Sequence, residues 1–188
     1  MVNRDIFLIG EDVVKQKTSL QDNIEDQQIR IHILEAQDID LQSVLCEELY
    51  AVILSGVSAY EDCIELGGTC DISSYLTPKQ VKLLDDYIEP FLIYTTLYHS
   101  RNDLFLTITN RGISAMETDR GKEVSKAELE FYKGMTIDWK NNSAHYLNQI
   151  VSFLTKNIID FPEYESCVEC DDTSSIKSNF GIYLGKSI

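Results

Sequence analysis

Basic side chains are scarce in this sequence. Sixteen Lys and Arg stand against 31 Asp and Glu, for a formal net charge of −15 over 188 residues. Phosphate contacts need cations, so this composition does not make a nucleic-acid-gripping surface. It is compatible with DNA passing nearby without sticking, and it resists nonspecific association. Long apolar runs are missing as well. The run Ile6, Phe7, Leu8 and Ile9 is too short for the apolar region of a signal peptide. No stretch approaches the ~18 apolar residues of a membrane span. The expectation is a chain that folds in a cytoplasm without a membrane partner, where the glycosylation sequon at Asn141 means nothing. An even set of cysteines is also lacking. Cys46, Cys63, Cys70, Cys167 and Cys170 make five, and an odd count without a secretory signal predicts thiols rather than a disulfide framework. Cys46, on an apolar helical face, reads as a small core residue.

Catalytic signatures are absent in the same way. Cys167 and Cys170 form a CxxC pair without the second ligand pair of a structural zinc site. Cys63 and Cys70 would complete one only if the tail folded back. No βαβ pattern accompanies the pair, which argues against a thioredoxin-like role. His32, His99 and His145 show no HExxH spacing. His99, Ser100 and Asp103 name the members of a triad, but neighbours in sequence rarely make triad geometry. His32, among isoleucines, reads as a helix-surface residue. The acidic pairs at Glu47, Asp85 and Asp171 read as solvated faces, because adjacent carboxylates on a helix point in different directions. Gly67 and Gly68 lack the Lys and the glycine spacing of a phosphate loop. The sequence predicts no enzyme, no cofactor and no metal.

What is present is helical periodicity. Residues 23–37 carry two competing patterns. Ile29, Ile31 and Ile33 alternate as in a strand, whereas Ile29, Ile33 and Ala36 fit a helix. No turn residue interrupts the run, and helix is the expectation. From Asp40 to Ser55, Leu41, Val44, Leu45, Leu49, Val52 and Ile53 make one apolar stripe. Gly56 is a candidate left-handed cap. Thr77, Pro78 and Gln80 spell a capping box with proline at the first helical position. The helix they open carries Val81, Leu84, Ile88, Phe91, Leu92, Thr95 and Tyr98 on one face, with a kink expected at Pro90. Leu104 to Thr109 is the best strand candidate, and Ile113 to Met116 its return partner after Asn110, Arg111 and Gly112. Ser125 and Glu128 form a second capping box. The helix after it runs to about Asp160 along Phe131, Met135, Trp139, Tyr146, Ile150, Leu154 and Ile158, and Gly134 and the Asn141-Asn142-Ser143 cluster allow a bend. Near the end, Phe180, Ile182 and Leu184 alternate with Gly181, Tyr183 and Gly185, as in a strand that joins a partner's sheet edge or a disordered tail. The fold class is therefore mainly α: a helical bundle with a small β-hairpin arm and an extended C-terminal tail. The expected organisation is a lead-in at 1–18, a helical domain at 19–161 with its hairpin near 104–116, and an arm at 162–188.

The order of these elements carries a resemblance. An Ile-rich helix ends in Glu35-Ala36-Gln37-Asp38 and turns at 37–40 into Leu45-Cys46-Glu47-Glu48-Leu49-Tyr50. Tyr75 and Leu76 precede a helix reaching Tyr98. Thr109-Asn110-Arg111-Gly112-Ile113 and a Ser-capped helix follow. Over roughly residues 5–160 this is similar to the head-to-tail connector (neck ring or adaptor) proteins of tailed bacteriophages, particularly the crAss-like group. Those proteins often have Gly where Cys46 stands. The resemblance implies a structural virion protein, assembled in the host cytoplasm. It implies a homo-oligomeric ring, usually a dodecamer, that docks below the portal protein, meets further neck or tail proteins and extends the DNA channel without sequence-specific binding. A closed ring needs two different complementary faces. Leu104, Phe105, Leu106, Ile108 and Arg111 are the candidates for contact between subunits. Phe180, Ile182, Tyr183 and Leu184 are those for docking to a neighbouring protein. The alternative is an acidic helical regulator or DNA mimic, which predicts salt-sensitive binding to a basic partner.

Overall fold

The computed structural model describes residues 6–18, 26–109, 112–115 and 126–164. Seven helices and one two-stranded ladder occupy them. The order is α1 (Glu11–Lys17), α2 (Asp26–Glu35), α3 (Gln42–Glu65), α4 (Pro78–Leu83), α5 (Glu89–His99), α6 (Arg101–Phe105), β1 (Leu106–Thr109), β2 (Gly112–Ala115) and α7 (Lys126–Lys156). The fold is mainly α.

Helix wins over strand at residues 29–33. Ile29 and Ile33 are fully buried and Ile31 is half exposed, which is the helical reading of the pattern. In α3, Leu45, Leu49 and Ile53 repeat every fourth position and lose all contact with solvent. Each such side chain contributes about 1.5–3 kcal/mol of burial. They meet Phe91 and Leu92 of α5, Leu83 of α4, and Ile150 and Leu154 of α7 in one core. Phe161 and Tyr164 close that core beyond the end of α7.

Two wide turns interrupt the α geometry. Between α2 and α3, residues Ala36–Leu41 are π-helical, and the amide of Gln42 donates to the carbonyl of Gln37 five residues back. The second π turn, Leu84–Ile88, lies just before Pro90, and there Glu89 donates to Leu84. Proline has no N–H to give, so the helix widens ahead of it rather than ending. Thr77 and Gln80 make the expected capping box: the Gln80 amide donates to Thr77 Oγ1 at 3.3 Å, and Gln80 Oε1 accepts from the Thr77 amide at 2.8 Å.

The corner of the first helix pair is not at 37–40. The chain stays helical there, and the break lies at Cys46, whose φ of 64° and ψ of 161° are non-helical inside α3. Cys46 is half-buried and packs beside the core rather than within it. Gly56 does not end α3. It is buried, and a Cβ there would meet Leu76 Cδ2 at 2.2 Å, so the glycine is what lets the 70–76 segment lie on the helix. The left-handed cap is Gly67, with φ of 75°. Its amide donates to Ile64, and that of Gly68 donates to Cys63, the two bonds of a Schellman motif.

Helix α7 runs without interruption through the Asn141-Asn142-Ser143 cluster. Ser143 is completely buried, and its hydroxyl lies 2.7 Å from Thr95 Oγ1 on α5. Thr95 in turn donates to the Phe91 carbonyl. A polar residue that finds a buried partner holds the helix where propensity alone weakens it. Leu104 and Phe105 belong to α6 rather than to a strand. That short helix is tied down by Tyr132, which donates to the Arg101 carbonyl at 3.0 Å, and by Arg101, which stacks on the Tyr98 ring. The ladder that follows pairs Leu106 with Ala115 and Ile108 with Ile113, antiparallel. Its side chains, Ser125 and the tail from 165 onward lie outside the described residues.

Candidate assembly interface

Contacts along the helices fix what lies at each end of the bundle. Lys79 meets Asp160, Tyr87 meets Phe153, Tyr94 meets Tyr146 and Arg101 meets Tyr132. Thus α7 runs antiparallel to α4 and α5. Asp40 meets His99, and Gly56 meets Leu76, so α3 also runs antiparallel to them. One end holds the 36–41 turn, α6 and the first half of α7. The other holds the end of α3, the start of α4 and the end of α7.

The first end is wired by polar side chains. Gln37 is almost completely buried. Its Oε1 accepts from the Leu8 amide at 2.9 Å, and its Nε2 donates to the Ile6 carbonyl at 2.9 Å. The side chain thereby acts as a one-residue strand for the lead-in, whose Leu8 and Ile9 are anchored in the core. Asp40 lies 2.6 Å from His99 Nε2. Tyr50 donates to Asp38 at 2.6 Å. Burial, then that carboxylate, push the Tyr50 phenol well above its ordinary value.

His32 is not a surface residue. It is buried, with Nδ1 2.8 Å from Glu35 and Nε2 2.8 Å from Asp103, a partner 71 positions away. His99, Ser100 and Asp103 therefore do not converge: His99 faces Asp40, Ser100 donates to the Leu97 carbonyl, and Asp103 faces His32. No group of three or more His, Cys, Asp or Glu side chains suited to a metal occurs among the described residues. Glu47, Glu48, Asp85 and Asp86 are exposed.

Each end also exposes apolar side chains. Phe131 is 70% exposed and Ile137 58%, both on the first half of α7, although Phe131 stands in the predicted buried stripe. Ile31 and Ile39 are exposed on α2 and the turn after it. At the other end Leu66 is 89% exposed and Ile159 90%, with Ile64 and Tyr75 half exposed. Sequence reasoning missed these residues because periodicity marks which face is apolar, not whether this subunit covers it.

The same end carries a second surprise. Cys63 and Cys70 are joined in a disulfide, with their Cα atoms 6.2 Å apart, and are not thiols. The odd cysteine count hid a pair that the turn at Gly67 brings together. The helical run from Asp26 to Glu65 is long and apolar enough by composition to cross a membrane. It is interrupted at Cys46, and Ile29, Ile33, Leu45, Leu49 and Ile53 on it are buried in the bundle.

Of the residues the sequence nominated for contact between subunits, Leu104 and Phe105 fall on α6, Leu106 and Ile108 on β1, and Arg111 lies outside the described residues. Phe180, Ile182, Tyr183 and Leu184, nominated for partner docking, also lie outside them, as do Cys167 and Cys170. Residues 41–174 match the family of unknown function DUF6712. No curated protein matches the chain, and no solved structure does.

Proposed function

We propose that this chain, which belongs to the DUF6712 family of unknown function, is a structural subunit of the head-to-tail connector of a tailed bacteriophage. Copies form a ring that docks below the portal and extends the DNA channel toward the tail. The observation that carries this reading is the backbone at Cys46. Connector proteins often place Gly at that point of the Leu-x-x-x-Leu-Tyr run, and a φ of 64° with ψ of 161° is a region that only glycine occupies without strain. Leu45, Leu49 and Tyr50, the fixed points of the same run, all face the core.

Further support comes from the surface. Leu66 and Ile159 at one end, and Phe131 and Ile137 at the other, are apolar and uncovered in the single subunit. Two different faces are what a closed ring of identical copies requires. In this reading the β1–β2 hairpin is an arm between subunits, with Leu104, Phe105, Leu106, Ile108 and Arg111 in the contact. The segment 162–188 docks to a neighbouring protein through Phe180, Ile182, Tyr183 and Leu184. The net charge of −15 lets DNA slide past rather than bind.

Electron microscopy of the purified protein, alone and mixed with the portal encoded by the same genome, tests the proposal. Rings, or a collar added to the portal, are the expected result. A monomer that leaves the portal bare overturns it. Removing 165–188 is expected to abolish the collar and to leave the bundle folded.

A further inference from the structure

The end of α3 is built around two glycines, and only one of them is explained by the turn. Gly67 takes the left-handed conformation of the Schellman motif. Gly68 needs no positive φ. A Cβ there, however, would sit 2.9 Å from Cys63 Sγ, 3.1 Å from the Cys63 carbonyl oxygen and 3.1 Å from Cys70 Sγ. The missing side chain at Gly68 is what gives the two sulfurs room to meet. Both cysteines are only half-buried, and Gly68 and Thr69 between them are exposed, so a small thiol can reach the bond.

We propose that Cys63 and Cys70 form a reversible thiol–disulfide lock on the corner that presents Leu66 and Ile64. Past Cys70, Asp71 caps a short 3₁₀ turn at Ile72–Ser74, and Leu76 then seats on Gly56. With the bond closed, the end of α3 is cross-linked to the segment that packs back on its own middle. With the bond open, the Schellman bonds, the Asp71 cap and the Leu76 contact hold that segment alone.

The oxidant is a small disulfide such as oxidised glutathione. The Cys63 and Cys70 thiols lose their two protons and two electrons to it, one S–S bond forms between them, and the oxidant's S–S bond breaks to give two glutathione thiols. Reduction reverses each step. Cytosolic thiols are kept reduced and disulfides persist outside the cell, so the state of the lock follows the compartment.

The full chain, equilibrated in glutathione buffers of graded ratio and quenched by alkylation, tests the lock through the peptides carrying Cys63 and Cys70. The two sites are expected to become protected together as the buffer turns oxidising. Amide exchange across 66–76 is expected to be at least about tenfold faster in the reduced protein. Gly68→Ala is expected to require a buffer about tenfold more oxidising, whereas Gly134→Ala, which opens onto empty space, leaves the midpoint in place. Alkylation of either cysteine in the most oxidising buffer, exchange unchanged by reduction, or an unmoved midpoint in Gly68→Ala overturns the proposal. These readouts lie within one subunit, so they stand or fall separately from ring formation.

Discussion

Three residues show how backbone position decides what a side chain does. Cys46 holds a conformation that costs a non-glycine residue about 1–3 kcal/mol. Cys46→Gly removes that strain but adds chain entropy in the unfolded state, so a net gain of about 1 kcal/mol is expected. Cys46→Val is expected to lose stability, because a β-branched side chain tolerates positive φ least. Urea denaturation of the two variants checks the sign of both effects. In the sequence Gly56 reads as a helix-ending cap and Gly134 as a weak point within a helix, yet both lie inside helices. A Cβ at Gly56 would strike the buried Leu76, whereas at Gly134 it meets nothing within 4 Å. Gly56→Ala is expected to lose about 1–3 kcal/mol by overpacking, and Gly134→Ala to gain about 1 kcal/mol from helix propensity. Thermal unfolding of the pair should move in opposite directions. Periodicity in the sequence pointed to neither difference, because each depends on what a distant segment brings alongside.

At the level of elements, local signals were readable and long-range ones were not. The Thr77 box and the Leu45, Leu49 and Ile53 stripe act within a few residues of themselves, and Pro90 marked an irregularity in its helix, expected as a kink and found as a π turn just before it. The Gln37 clasp on Ile6 and Leu8, the His32 contact with Asp103 and the Cys63–Cys70 bond depend on the fold to bring partners together. Gln37→Ala should expose that dependence. It leaves the buried Leu8 amide without its acceptor, at about 1–3 kcal/mol, and amide exchange at Leu8 is expected to rise more than in the core of α3.

Helix α1 is held differently, by Glu11 on Arg30, Lys15 on Asp26 and Lys17 on Glu89. The hydrogen bond from Arg30 holds the Glu11 carboxyl below its ordinary 4.5, and Lys15 does the same for Asp26 below 3.8. Acids depressed in the folded state contribute stability above their ordinary values and lose it as pH falls through the depressed ones. Asp85 has the opposite sign. Partial desolvation of this exposed carboxyl first, then the neighbouring Glu89 and Asp86, raise it above 3.8. Its contribution is present below 3.8 and lost as pH rises through the raised value. Glu11→Gln is therefore expected to lower the urea midpoint at neutral pH and to leave it unchanged well below 4. Asp85→Asn is expected to raise the midpoint at neutral pH. Parallel curves for both variants across the acid range would contradict these assignments.

For the whole molecule, charge and apolar surface oppose each other. Copies carrying −15 repel one another at low salt, while Phe131, Ile137, Leu66 and Ile159 gain by being covered. At 1 M salt the screening length falls to about 3 Å, which removes the repulsion and leaves the apolar gain intact. Self-association is therefore expected to strengthen as salt is raised, measured by sedimentation from dilute buffer upward. Phe131→Ser and Ile137→Ser together should weaken it while leaving the subunit's unfolding within about 0.5 kcal/mol per site, as exposed positions do. For an acidic regulator that mimics DNA the event to follow is binding to its basic partner, and that weakens with rising salt because the attraction is screened away. The direction of the salt effect thus separates an assembly driven by covered apolar faces from recognition driven by charge, and the double variant ties the result to one end of the bundle.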